Sequence, residues 1–248
     1  GRYNEHNQLK ALGPNAADVR YYQGTGFITE KEEELRAALR AFFRCSQVEQ
    51  RVISGQMANT AVYSAMLDYI NQADRKCEPR RMRQVMNNHI GKGGHLSSQP
   101  MGALRDYVAK DPVAEYPAVT NFPVQADNPY RIDLPAAGEL LEKHRPELII
   151  FGKSMVLHPE PVAEIKAVTA AWADPPLIMY DMAHVLGLVG PHFQEPFADG
   201  ADLVTGSTHK TFFGPQRGVI AGSFRAESAE FDLWKAIRRR AFPGMVSN

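Results

Sequence analysis

TGSTHKTFFGPQRG, Thr205 to Gly218, places one lysine, Lys210, among small hydroxyl residues directly after a short apolar run, Ala201 to Val204 (ADLV). The run predicts a buried strand, and Gly206, Ser207 and Thr208 predict a turn at its carboxyl end. Open α/β sheets bind ligands at that edge. A lysine held in such a crevice is desolvated, so its pKa falls and its amine becomes available to form a Schiff base with an aldehyde. His209 is positioned to shape the site, and Phe212, Phe213 and Gly214-Pro215 to wall it. Taken alone, S-T-H-K also describes a surface turn with a solvated lysine.

A second stretch, Leu177 to Gly190 (LIMYDMAHVLGLVG), weighs against the surface turn. Its apolar strand, Leu177 to Tyr180, ends in Asp181, and His184 follows three residues later, bringing a buried carboxylate and an imidazole to the same edge. An isolated D-x-x-H is also half of a metal site, but no second pair of ligands stands at suitable spacing. D-M-A-H-V-x-G-L-V followed by S-T-H-K-T-x-x-G-P resembles serine hydroxymethyltransferase, a family of pyridoxal-phosphate enzymes with the aspartate-aminotransferase fold. The resemblance implies an α/β chain: the three-layer α/β/α large domain of a pyridoxal-phosphate transferase, with a mostly parallel central sheet. It also implies that Lys210 carries the cofactor and that Asp181 faces the pyridine nitrogen. His184 then lies beside the ring hydroxyl or the substrate carboxylate.

Upstream, a strand from Glu49 to Ile53 runs into Ser54-Gly55-Gln56, and Ala58 to Ile70 reads as a helix with Val62, Ala65, Met66 and Ile70 on one face. A strand, a small-residue turn and a helix amino terminus together form an anion site, because free amides and the helix dipole point at the ligand. By resemblance, Ser54, Gly55 and Gln56 cradle the cofactor phosphate, Gln56 replacing a small hydroxyl residue. Gln84 to Asn88 predicts a short strand, followed by Gly91-Lys92-Gly93-Gly94-His95-Leu96, whose glycines let the backbone pass close to a flat or charged group. In the family the histidine of G-G-H-L stacks on the pyridine ring, which assigns His95. Lys92 stands where an H-G-G-H-L pattern has its first histidine, near the one-carbon carrier site. Ser154 matches a serine beside the ring, and Ser207 belongs to the same cofactor set.

The polar opening GRYNEHNQLK and the later RYYQG match a Tyr-x-Glu element and an Arg-Tyr-Tyr-x-Gly element. By resemblance, Glu5 handles protons near the hydroxymethyl group, and Tyr3 and Tyr22 line the active site of a neighbouring subunit. Phe242-Pro243-Gly244 matches an element that approaches the other subunit's phosphate. Gln216-Arg217 departs from the common G-P-R-G and also occurs in hydroxymethyltransferase-like threonine transaldolases.

Periodicity fills in the frame. Thr29 to Cys45 predicts a helix with Thr29 and Glu32 as a capping box and Leu35, Ala38, Leu39, Phe42 and Phe43 on its apolar face. Asp133 is expected to cap a helix containing Leu140 and Leu141, with Pro135 in its first turn. Glu147 to Phe151 and Gly218 to Phe224 read as strands. Val162 to Trp172 reads as a helix with Ile165, Val168 and Trp172 in the core, and Ala229 to Ala241 as a second helix.

Composition sets the bounds. The 248 residues, 44% hydrophobic and 23% charged, suit one large α/β domain. We expect 1–248 to be the cofactor-binding domain with an amino-terminal arm, the family's small carboxyl-terminal domain and its carboxylate-binding arginine lying outside this sequence. A balance of 28 basic and 28 acidic residues argues against a nucleic-acid or anionic-membrane partner. Cys45 and Cys77, without C-x-x-C spacing, point to a reduced cytoplasmic compartment. The expected activity is a pyridoxal 5'-phosphate-dependent hydroxymethyltransferase, with a small amino acid as substrate, tetrahydrofolate as co-substrate and a homodimer sharing its sites. A folate-independent transaldolase or aldolase, and a non-catalytic binding domain of the same fold, are the alternatives.

Overall fold

A computed structural model describes residues 26–72, 76, 78–226, 228 and 230–246. Tyr3, Glu5 and Tyr22 lie outside the described residues. Seven strands form one sheet: β1 (Gln47–Glu49), β2 (Val85–Asn87), β3 (Val119–Asn121), β4 (Leu148–Phe151), β5 (Leu177–Asp181), β6 (Leu203–Ser207) and β7 (Gly218–Gly222). Their order is β1-β7-β6-β5-β4-β2-β3. β2 to β6 pair in parallel, while β7 runs against both of its neighbours, so β1 points the same way as the parallel set.

Period-two alternation divides the core. Ile149, Phe151, Ile178, Tyr180 and Val204 face one side, together with buried residues of α1 (Gly26–Phe43), α3 (Leu134–His144) and α4 (Val162–Thr169). Leu148, Ile150, Met179 and Leu203 face the other, against α2 (Gly55–Ile70) and α5 (Glu230–Arg239). With helices on both faces, the strands are apolar on both sides, and this is why L-I-I-F reads as a continuous run. The three-layer arrangement expected from the sequence is therefore the one observed.

Several boundaries differ for identifiable reasons. Thr29 lies within the described span of α1 and does not cap it; among that span's residues Leu39 and Phe43 are buried, while Leu35 and Phe42 are exposed. β1 stops at Glu49 rather than running to Ile53. There the Arg51 amide donates to Glu49 Oε1 at 2.9 Å and its guanidinium to Oε2 at 2.6 Å, so this backbone group leaves the ladder. β6 extends through Gly206 and Ser207, which pair with Val219 and Gly218, so the turn begins at Thr208. α4 ends at Thr169, leaving Val168 exposed and Trp172 half-buried. Trp172 instead donates to Glu142 at 3.0 Å and stacks under the Arg145 guanidinium at 4.1 Å. Asp133 caps α3 as expected, accepting from the Ala136 amide at 3.1 Å. No described helix is long and apolar enough to cross a membrane.

Candidate active site at the carboxyl edge of the sheet

Because β1 shares the direction of the parallel set, its carboxyl end delivers the start of α2 to the edge where β4, β5 and β6 end. Ser54 caps α2, its hydroxyl accepting the Met57 amide at 3.1 Å. Gly55 is buried against the last residues of β6: a Cβ there would fall on the Ser207 hydroxyl and lie 3.4 Å from the Ser207 amide nitrogen. Glycine is thus what lets the helix seat on the strand. Gln56 is exposed. The phosphate candidates Ser54, Gly55 and Gln56 and the strand-end Ser207 come together at one helix amino terminus, a site suited to an anion.

Asp181 ends β5 and is 2% exposed. Gly152, with φ +147, allows the end of β4 to approach it; a Cβ at Gly152 would lie 2.6 Å from the Asp181 carbonyl oxygen. Asp181 Oδ2 accepts from Asn59 Nδ2 at 2.7 Å, His95 Nδ1 at 2.6 Å and Ser97 Oγ at 3.1 Å. Oδ1 accepts the Ala183 amide at 3.1 Å. Burial pushes this carboxyl up, but the hydrogen bond and charge of His95, and then Asn59 and the Ala183 amide, outweigh burial and hold it below the ordinary range. The group is an anion at neutral pH, and His95 Nδ1 carries the proton between them.

His95 also meets His184 edge to face, with ring centroids 5.2 Å apart at 70°. Burial, then the Lys210 charge, then that of His95 lower the His184 pKa to about 4, so its imidazole is neutral at pH 7. Lys210 is half-buried; burial lowers its pKa and the Asp181 charge draws it partly back. Its loop is fixed by the Phe213 amide on the Lys210 carbonyl at 3.1 Å and by Thr211 Oγ1 on the His184 carbonyl at 3.1 Å. The lysine, the acid and both imidazoles thus lie within mutual electrostatic range. His209 is exposed beside Lys210, and Ser154 is exposed with its amide on the Gly93 carbonyl at 2.7 Å.

Three polar residues were not singled out from the sequence. Asn59 bridges Asp181 and Thr205, whose hydroxyl donates to Asn59 Oδ1 at 2.5 Å, and Ser97 joins Asn59, His95 and Asp181. The available signal was the length of the motifs: S-G-Q-M-A-N and G-G-H-L-S each end in a polar residue, Asn59 and Ser97, that a packed helix or loop has no need to bury. Among the described residues no group of three His, Cys, Asp or Glu is arranged to hold a metal. A groove of about 700 Å³ lies at the opposite edge of the sheet, where Arg80 and Arg83 pair with Glu147 and Lys166 with Asp202. Concavity alone would have chosen the wrong edge for this chemistry.

The donor set fits pyridoxal phosphate: a buried anion for a pyridine nitrogen, with Oδ1 engaged only by the Ala183 amide among the described residues, a desolvated amine, and a helix amino terminus for the phosphate. The family model for serine hydroxymethyltransferase matches residues 15–246. Similar curated proteins include the serine hydroxymethyltransferase of Thermoplasma acidophilum, 36% identical over 230 residues covering 92% of this chain and 47% of that protein. Those of Korarchaeum cryptofilum and Archaeoglobus fulgidus are 33% and 34% identical, again over 92% of this chain and over 49% and 46% of their own lengths. The chain thus spans about half the length of the curated relatives it matches. On this match and this architecture, the chain belongs to the serine hydroxymethyltransferase family.

Proposed function

We propose that this chain is the cofactor-binding part of a pyridoxal-phosphate enzyme that cleaves and forms the Cα–Cβ bond of a β-hydroxy amino acid, exchanging serine and glycine with tetrahydrofolate as one-carbon acceptor. The observation that carries the reading is an ionised, buried Asp181 within electrostatic range of a half-buried Lys210 of lowered pKa and of a neutral His184. When bound, pyridoxal phosphate supplies an electron sink for the pair released at the substrate Cα. Asp181, whose carboxyl is held below its ordinary range, would keep the ring nitrogen protonated. Asn59, Ser97 and His95 keep that carboxylate ionised and oriented. Ser54 and the amides of Gly55 and Gln56, with Ser207 beside them, would hold the phosphate. Lys210, whose pKa burial lowers, would hold the cofactor through its aldehyde group. His184, uncharged, would lie beside the ring hydroxyl or the substrate carboxylate. Glu5 moves the hydroxymethyl proton, and Tyr3 and Tyr22 enclose the substrate from a second subunit. His209 and Ser154 complete the rim. We place the protein in a reduced cytoplasmic compartment as a homodimer.

The full-length protein mixed with pyridoxal phosphate should develop a visible absorption band, and borohydride should leave the cofactor attached to Lys210. Lys210→Ala should abolish both. Asp181→Asn should retain cofactor binding but lose about a hundredfold or more in turnover, the scale of a contact made mainly in the transition state. Cofactor mapped to another lysine, or near-normal turnover of Asp181→Asn, would overturn these roles. Lys92 and Gln216-Arg217 favour a folate-independent transaldolase or aldolase as the second reading; retro-aldol cleavage of serine that ignores added tetrahydrofolate would select it. Absence of any cofactor band would select the non-catalytic reading.

A further inference from the structure

Below the site lies an ion pair to which no step of the chemistry assigns a part. Lys153 Nζ stands 2.7 Å from Glu160 Oε1, with side chains only 4% and 1% exposed. Two charges so deeply buried lose their hydration, and an apolar pair of similar volume commonly stabilises a fold equally well. Packing alone therefore does not explain them.

Their connections run to the cofactor-facing loops. Lys153 Nζ donates to the Tyr130 carbonyl at 2.9 Å. Asn88 Nδ2 donates to Glu160 Oε2 at 3.4 Å, and Asn88 Oδ1 accepts the Gly152 amide at 3.0 Å. The Asn88 carbonyl accepts Gln99 Nε2 at 2.8 Å, and the same amide reaches the His95 carbonyl at 3.2 Å. Gln194 clamps Glu160 from the other side: its Oε1 accepts the Glu160 amide at 3.0 Å and its Nε2 donates to the Glu160 carbonyl at 2.7 Å. Between the loops, Lys153 bridges Gly94, the His95 amide donates to the Gly152 carbonyl at 3.2 Å, and the Ser154 amide to the Gly93 carbonyl at 2.7 Å. The pair thus sits at the junction of the segments that carry His95 and Ser154.

We propose that Lys153 and Glu160 are positioning residues: through Asn88 and Tyr130 they lock the Gly93–His95 and Gly152–Ser154 segments into one shelf that sets the orientation of His95 toward Asp181 and the cofactor. The cofactor-facing part of this assignment rests on the function proposed above. Lys153 supplies a directional bond to the Tyr130 carbonyl and Glu160 accepts one from Asn88, which in turn holds the Gly152 amide; apolar replacements would supply neither.

The test compares the full-length protein with Lys153→Met/Glu160→Leu, an apolar pair that leaves no lone buried charge. Amide hydrogen exchange is read without cofactor, beside thermal unfolding and the dissociation constant for pyridoxal phosphate. We expect unfolding close to that of the parent. The Gly94, His95 and Ser154 amides should exchange at least tenfold faster, those of α3 should be unchanged, and the cofactor dissociation constant should rise at least tenfold. Parent-like exchange and affinity in the folded double variant would overturn the proposal. Should that variant not fold, Glu160→Asp, which keeps the charge but shortens its reach, must accelerate the same amides selectively; unchanged exchange there overturns it equally. A parent protein that binds no pyridoxal phosphate would defeat the functional reading, while the cofactor-free exchange still decides the positioning role.

Discussion

Asp181 and His184 stand three positions apart in sequence and have opposite electrostatic assignments. Both are buried to some degree, and burial disfavours charge on each. Asp181 escapes by collecting donors, whereas burial first, and then its neighbours Lys210 and His95, lower the His184 pKa to about 4. The sign of the stability effect follows. With a folded pKa of about 4, His184 binds fewer protons folded than unfolded from its ordinary value near 6.5 down to about 4. Its neutral form therefore contributes stability that is present above that window and lost as pH falls through it. Screening of a half-exposed ring reduces the effect to about 1 kcal/mol. Urea midpoints at pH 7 and pH 4.5 should fall less for His184→Gln than for the parent. An equal fall in both proteins would mean that the ring titrates normally.

The seating of α2 on β6 shows how a helix and a strand compete for space. By propensity, alanine is better than glycine in a helix by roughly 1 kcal/mol. At Gly55 that gain meets the Ser207 hydroxyl and the β6 backbone, so Gly55→Ala should destabilise by about 1–3 kcal/mol, as overpacking does. It should also lift the helix amino terminus off its anion position. Gly138 is the counterexample, inside α3 with nothing within 4 Å of a Cβ and no left-handed backbone. Gly138→Ala should stabilise by roughly 0.5–1 kcal/mol. Denaturant midpoints check both, and a gain at Gly55 would show that β6 yields to the helix. Two glycines alike in sequence are set apart by what lies opposite them.

For the assembled protein, the proposed homodimer makes a prediction that no single chain satisfies. Glu5, Tyr3 and Tyr22 are assigned to the partner's site, and a symmetric dimer repeats each such contact twice. Mixing full-length Glu5→Ala with full-length Lys210→Ala, each inactive alone, should restore activity after subunit exchange, because one of the two composite sites in the heterodimer is intact. Verified exchange without recovered activity, or a fully active monomer, would refute the shared site.

Local residues carried much of this account. The apolar runs at β4 and β5, the Asp133 cap and the Lys210 turn are each written within a few neighbouring positions, since burial on both faces, capping and turn chemistry are short-range demands. The acid, both imidazoles and the lysine could be named for the same reason: each ends or follows a strand. Long-range geometry was not legible. That Asn59, Ser97 and Thr205 would converge on Asp181 depends on strand order and on one helix seating against Ser207, distances that no local spacing encodes. The end of β1 likewise depended on Arg51 folding back to Glu49, and the burial of Lys153 with Glu160 on two loops meeting. Local chemistry chose the reactive groups; tertiary packing chose the partners that hold them charged, neutral or still.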